Sequence, residues 1–155
     1  IGCILMKKWL YIGVLFMLLS CENTNNMNPV SYVPVNYTLN ITQEYPHFVV
    51  DNGYNVMTIT KTRFDREYIG YAGLVVWIGM DGQYHAADLC CPHCLLKYKP
   101  VEVDGFYAIC PECEEHYDLS YGYANPTKGM TKFGLKMYRT ILNNSMTGYS
   151  LRIIN

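Results

Sequence analysis

The chain of 155 residues carries little charge of either sign: 12 Lys and Arg against 13 Asp and Glu, 16% of residues in all, for a net charge of −1. No basic run and no basic–aromatic patch occurs, so nucleic-acid binding has no support. No Ser-His-Asp order, phosphate-cradling glycine loop or nucleotide signature is present, which leaves hydrolase, kinase and nucleotide-binding readings without a foothold. The stretch 51–65 holds no carboxylate pair at catalytic spacing. Beyond the N-terminal segment, no window of a dozen residues keeps a 3.6-residue apolar period, and this excludes a long amphipathic helix. The apolar run Trp9 to Leu19 has only 11 residues. As a helix it is too short to span a hydrocarbon core of about 30 Å.

That run nevertheless has a context. Met6 begins a well-formed export signal, with Lys7 and Lys8 as its basic region and Trp9 to Leu19 as its apolar region. It ends in Leu18-Leu19-Ser20-Cys21, which resembles the lipobox of bacterial lipoproteins. The resemblance implies a signal peptide over 1–20, lipidation of Cys21, and export to the cell envelope with the lipid in a membrane, the outer membrane by expectation. An ordinary secretory signal with an incidental cysteine is the alternative. Residues 21–30 are rich in Asn and poor in apolar side chains and read as a flexible tether. Residues 31–155 are about the size of one domain.

Two copies of one tetrapeptide pattern dominate that domain. Cys91-Pro92-His93-Cys94 and Cys110-Pro111-Glu112-Cys113 are separated by 15 residues. The two-residue spacer lets both sulfurs of a turn reach one centre, and Pro stiffens the turn by fixing φ. Thiolates are stabilised by an electropositive partner, which a metal ion supplies. With Cys90 the cluster has five cysteines, an odd number for a framework made only of disulfides. Cys90 itself reads as a buried thiol. Glu112, Glu114 and Glu115 read as a solvated acidic rim on the second loop, offset by Lys97 and Lys99. His85 reads as structural, His47 as isolated, and His116 as a surface or supporting residue.

The remaining pattern is all-β. Turn signals recur at Asp51-Asn52-Gly53, Ala72-Gly73, Asp81-Gly82, Asp104-Gly105, Gly122, Gly129, Gly134 and Asn143-Asn144, between short runs rich in Val, Ile, Tyr, Thr and Phe. Strands are predicted over 37–41, 56–60, 82–87, 102–103, 106–109, 135–142 and 149–153. A fully buried strand is predicted over 74–80 because that run is almost continuously apolar. The hairpin turning at Asp104-Gly105 joins the two cysteine loops.

These residues carry a family resemblance. Gly82-x-Tyr84-x-Ala86-x-Asp88-x-x-Cys91-Pro92-His93 resembles the first ligand box of Rieske iron–sulfur proteins. Gly105-Phe106-Tyr107-Ala108-Ile109-Cys110-Pro111-x-Cys113-x-x-His116-Tyr117-Asp118-Leu119 resembles the second, where the family has Cys-Pro-x-His-Gly-Ser, an aromatic and Asp. The run from Gly122 through Asn125-Pro126 to Leu135-x-x-Tyr138 is similar to the segment that follows it. From Val35 onward, through the strands at Tyr54, Val56 and Gly73-Leu74-Val75-Val76, the chain is similar to Rieske-like lipoproteins of Bacteroides-type bacteria. The resemblance implies an antiparallel β-sandwich with a small two-loop metal-binding subdomain, its ligand loops at 90–96 and 110–118. It implies Cys91 and Cys110 on an inner iron, His93 on an outer iron, and Tyr117 supporting a ligand sulfur. The chain departs from the family at Cys113, which stands where the second His is found. It departs again where Leu95 and Glu114-Glu115 replace the glycines after each ligand pair. Glu115 also stands in place of a Ser whose hydroxyl donates to a cluster sulfide; an ionised carboxylate has nothing to donate.

Three centres follow. The first is a 2Fe–2S cluster on Cys91, His93, Cys110 and Cys113, with a potential lowered by the thiolate in place of a His. The second is a Zn2+ or single-iron site on Cys91, Cys94, Cys110 and Cys113, favoured by the symmetry of the two turns. The third is a metal-free shell with oxidised cysteine pairs. The signal lacks the twin arginines that exported Rieske proteins commonly use, and zinc is easier to acquire outside the cytoplasm. Two functional classes remain: a lipid-anchored electron carrier docking a redox protein, and a metal-stapled binding or scaffold module. A stand-alone enzyme is not expected.

Overall fold

A computed structural model describes residues 27–50 and 53–155. The signal segment, Cys21, the tether up to residue 26 and the turn residues Asp51 and Asn52 lie outside the described residues.

The domain is all-β and antiparallel. In chain order the elements are β1 (Val35–Asn40), α1 (Ile41–Glu44), β2 (Asn55–Ile59), β3 (Tyr68–Ile69), β4 (Leu74–Ile78), β5 (Tyr84–Asp88), β6 (Glu102–Asp104), β7 (Tyr107–Ile109), β8 (His116–Asp118), β9 (Asn125–Lys128), β10 (Met137–Ser145) and β11 (Gly148–Ile154). The expected strands are present with ends shifted by a residue or three. β3, β8, β9 and the helical turn α1 were not signalled by periodicity, and β8 takes the last three residues of the expected 110–118 loop, which therefore ends at 115. β9 carries a Pro and has no buried residue, and β3 is two residues long, so neither has an alternating pattern to read.

The expected sandwich takes a more asymmetric form. One sheet has seven strands in the order β2-β4-β5-β10-β11-β1-β3 and curls almost into a barrel. The second has four, β6-β7-β8-β9, and is inserted between β5 and β10. Inside the curl lies a core of Tyr37 and Leu39 from β1, Leu74, Val76 and Ile78 from β4, Tyr84 and Ala86 from β5, Tyr138 from β10, and Leu151 and Ile153 from β11. On the outer face, Val75 and Trp77 of β4 and Ala87 of β5 pack with Ala108, Tyr117 and Leu119 of the small sheet.

This explains the apolar run at 74–78. Successive side chains of a strand point to opposite faces. Each face of β4 meets a different core, so all five of its residues are buried. Trp77 also donates from Nε1 to the Tyr121 carbonyl at 3.0 Å, fastening the small sheet to the large one.

Candidate metal centre

The first cysteine loop leaves β5 at Asp88, a fully buried carboxylate. Asp88 sits on the same face of β5 as Tyr84 and Ala86. It accepts hydrogen bonds from the backbone N–H of Tyr71 (2.6 Å), Ala72 (3.0 Å) and Cys90 (2.8 Å), and from the Tyr138 hydroxyl (2.7 Å). Four donors satisfy the buried charge. They also hold the start of the loop against the 70–73 turn and β10. The second loop leaves β7 at Ile109 and enters β8 at His116, and the register Ile109↔His116 closes its neck.

The two loops have the same internal geometry. Leu95 N–H donates to the Cys91 carbonyl at 2.9 Å, and Glu114 N–H donates to the Cys110 carbonyl at 3.0 Å. Leu95 has φ 57° and Glu114 has φ 55°. Both are in the left-handed region that favours glycine, at a cost of about 1–2 kcal/mol for a residue with a Cβ. These are the positions where the glycines of the resembling family are replaced. The turn is therefore kept although the residue best suited to it is absent, which requires contacts elsewhere to over-determine it.

Those contacts converge on sulfur. The Sγ atoms of Cys91, Cys94, Cys110 and Cys113 all lie within 4.8 Å of one another. Cys91 and Cys113 are 3.6 Å apart across the loops, and Cys110 and Cys94 are 3.9 Å apart. A tetrahedral zinc with Zn–S of about 2.3 Å requires sulfurs about 3.8 Å apart. These four residues are thus positioned to hold a metal ion. Cys91 and Cys110 are buried, while Cys94 and Cys113 are partly exposed. Burial pushes the Cys94 thiol up to about 11, with Cys110 and Cys91 adding to the effect. Burial also raises Cys113. Burial opposes ionisation of Cys110 as well, but the N–H groups of Cys113 and Glu112 and the neighbouring thiols prevail and hold it below the ordinary thiol range. Cys94 and Cys113, both raised by burial, thus share the cluster with Cys110, whose neighbours favour its thiolate form. A cation at their centre removes the cost of ionising the rest.

The neighbouring groups divide. The Tyr117 hydroxyl is 3.1 Å from Cys91 Sγ, and burial followed by this contact raises its pKa far above that of a free phenol. Tyr117 is thereby kept as a neutral hydroxyl in hydrogen-bond contact with the sulfur. His93 stands apart from the thiol quartet. Its Nδ1 lies 3.8 Å from Glu115 Oε1, and its side chain is 39% exposed. Cys90 is fully buried, and burial together with the Asp88 charge pushes its thiol up to about 12. His116 packs its ring against Tyr107, with centroids 6.1 Å apart. Lys99 pairs with Glu112, and Lys97 lies over the Tyr71 ring.

The acidic rim needs correction at one position. Glu112 and Glu114 are exposed, but Glu115 is 1% exposed. Its Oε1 accepts the N–H groups of Met130 and Thr131, and Oε2 has no hydrogen-bond partner. Glu114, in its left-handed turn, stays exposed, whereas Glu115, next along the chain, is turned inward. Gly129 makes this possible. It has φ +125°, and a Cβ there would come within 2.0 Å of the Glu115 carboxyl. Glu115 thus ties the second loop to the segment leading into β10. Its pairing with a glycine 14 residues on is invisible in a linear pattern.

No family model, no curated protein and no solved structure matches the chain.

Proposed function

We propose that this domain is a metal-stapled binding or scaffold module in which Cys91, Cys94, Cys110 and Cys113 hold one Zn2+ ion. The observation that carries the reading is the thiol quartet, with cross-loop sulfur separations of 3.6 and 3.9 Å. Bound zinc would supply charge compensation and four coordinate bonds, and four thiolates leave no open position for substrate. The role of the ion is therefore structural. The residues that serve it are Tyr117, which donates to Cys91, and the backbone N–H groups aimed at Cys110.

A second reading is a Rieske-like electron carrier with a 2Fe–2S cluster on Cys91, His93, Cys110 and Cys113 and a redox protein as partner. It draws support from the insertion of a small two-loop sheet into a larger antiparallel one, and from the Tyr117 contact. Against it, a second metal would have to spread the ligand pairs apart, and His93 would have to turn from Glu115. Metal analysis with a visible spectrum of the purified protein separates the two. One zinc per chain and no visible absorption are expected. Iron with acid-labile sulfide and a reversible couple would sink the zinc reading.

We also propose that the full chain is exported and lipid-anchored at Cys21 in a bacterial envelope membrane. The lipobox-like Leu18-Leu19-Ser20-Cys21 supports it. Cells fed a labelled fatty acid should label the full chain, and Cys21→Ser should abolish the label. An unlabelled wild-type chain in the soluble fraction would overturn the anchor.

A further inference from the structure

A second concave site lies at the opposite end of the small sheet from the thiols. Ile109 and His116 pair at the cysteine end, whereas Tyr107 and Asp118 pair at the other. Beyond Asp118 the chain meets the β4–β5 turn of the large sheet, and a cleft of about 500 Å³ opens between them. It is lined by Asp81, His85, Asp118, Tyr121, Gly122, Tyr123 and Asn125. That volume is within the range of small-molecule sites.

The walls are built rather than loose. Met80 N–H donates to the Ser120 carbonyl at 2.7 Å, and the Trp77 indole donates to Tyr121 at 3.0 Å. Asp118 Oδ1 accepts Ser120 N–H at 2.7 Å. His85 Nε2 lies 3.0 and 2.9 Å from the two Asp81 oxygens, and its ring packs on Trp77 at 5.5 Å. The imidazole is therefore fixed in orientation, with its Nδ1 edge toward Gly122. A Cβ at 122 would sit 2.5 Å from His85 Cε1 and 2.8 Å from Nδ1, so only glycine leaves that edge of the ring room. Tyr121 and Tyr123 stand beside it, 55% and 72% exposed.

The lining discriminates among ligand classes. An anion would meet Asp81 and Asp118. A metal ion needs converging ligand atoms, and among the described residues only the thiol quartet provides them. A simple amine would find one free carboxylate, Asp118, because both Asp81 oxygens already face His85 Nε2. Hydroxyl groups both donate and accept. A mixed rim of carboxylate, amide and phenol therefore suits a neutral polyhydroxylated ring, whose C–H face can lie on an exposed tyrosine while its edge hydrogen-bonds.

We propose that this cleft binds a neutral saccharide, with Tyr121 and Tyr123 against its C–H face and Asp118 and Asn125 at its hydroxyls, while His85, held by Asp81 and Gly122, shapes the floor. The site is independent of the ion proposed at the thiols. The test is a titration of the full chain with maltotriose, cellotriose and chitotriose. It is followed by the backbone amides of residues 81–85 and 118–125 and by the Trp77 indole N–H, with spermidine and inorganic phosphate as counter-probes. At least one trisaccharide should give saturable shifts confined to those signals. Tyr123→Ala, a change at an exposed position, should weaken it about tenfold. Tyr98→Ala, equally exposed but remote from the cleft, should leave it unchanged. Absence of a saturable shift with all three sugars up to about 10 mM overturns the proposal. So does tighter binding of spermidine at the same amides, or an affinity that Tyr123→Ala leaves intact.

Discussion

The two sheets are held by different physics. Among the described residues the large sheet encloses fourteen buried apolar ones, including Leu39, Ile41, Leu74, Ile78, Leu151 and Ile153, with Asp88 as a fully satisfied polar hub. Each fully buried aliphatic side chain there contributes about 1.5–3 kcal/mol. The small sheet has three strands of three residues and one of four, and β9 is solvated along its length. Its own core includes Cys91 and Cys110 beside Ala108, Tyr117 and Leu119, with Cys94 and Cys113 packed against it. One region folds because it buries enough hydrocarbon. The other places thiols where hydrocarbon would be, and two of its turns sit in a conformation costly for their residues.

Removing the proposed metal should separate the two regions most severely. Thiolate zinc sites contribute about 10–16 kcal/mol of binding free energy to folding. Chelation, or Cys110→Ser, should therefore abolish amide protection in residues 102–128 while β1, β4, β5, β10 and β11 keep theirs. Hydrogen exchange followed by NMR reads both at once. Equal loss in both sheets would show that the small sheet has no separate staple.

The converse is Leu39→Ala. It opens a cavity in the large core and should cost about 2–5 kcal/mol in denaturant unfolding, with metal stoichiometry unchanged in the folded protein. A lost metal at full occupancy of the folded state would mean the two regions are more tightly coupled than their separate cores suggest.

Tyr117→Phe sharpens the comparison inside the small sheet. It deletes the hydroxyl on Cys91 Sγ and keeps the ring. Metal affinity, measured by competition with a chromophoric chelator, should fall about 10–100-fold. An unchanged affinity would make Tyr117 a packing residue only.

The smallest effect concerns a strap between the regions. Tyr54, just before β2, donates to the Gly105 carbonyl at 2.7 Å and stacks on Phe106 with ring centroids 4.0 Å apart. Tyr54→Phe should cost about 1 kcal/mol at neutral pH. Burial, and to a smaller extent the Asp118 charge, pushes the Tyr54 hydroxyl up to about 12 from 10.0. The unfolded chain then loses this proton first as pH rises. The contribution is therefore complete below about pH 10 and lost between pH 10 and 12. The mutant should lack that alkaline limb in a stability-against-pH series.

Much of this was legible in the sequence, for identifiable reasons. Strands with one face in a core, such as β1 with its buried Val35, Tyr37 and Leu39, alternate visibly. The paired CPxC turns announce a metal site because both sulfurs of a turn can reach one centre. Asp88 left a readable sign too, a carboxylate in phase with Tyr84 and Ala86 on an inward face. Glu115 left none. Its neighbours Glu112 and Glu114 are exposed, and only the approach of Gly129 and the two following N–H groups draws it inside. The Asp81–His85 pair likewise acquires its cleft from Asp118 to Asn125, which come from the other sheet.

By itself, then, the sequence determined the all-β class, the hairpin joining the two cysteine loops, and the four thiols as candidate ligands. Periodicity, glycine placement and spacer length are local constraints that act over a few residues. Only the tertiary structure decided that Cys94 joins the quartet while His93 turns toward Glu115, and that one face of β4 serves each of two cores. Those outcomes depend on which surfaces meet across distant parts of the chain, and no local pattern records that.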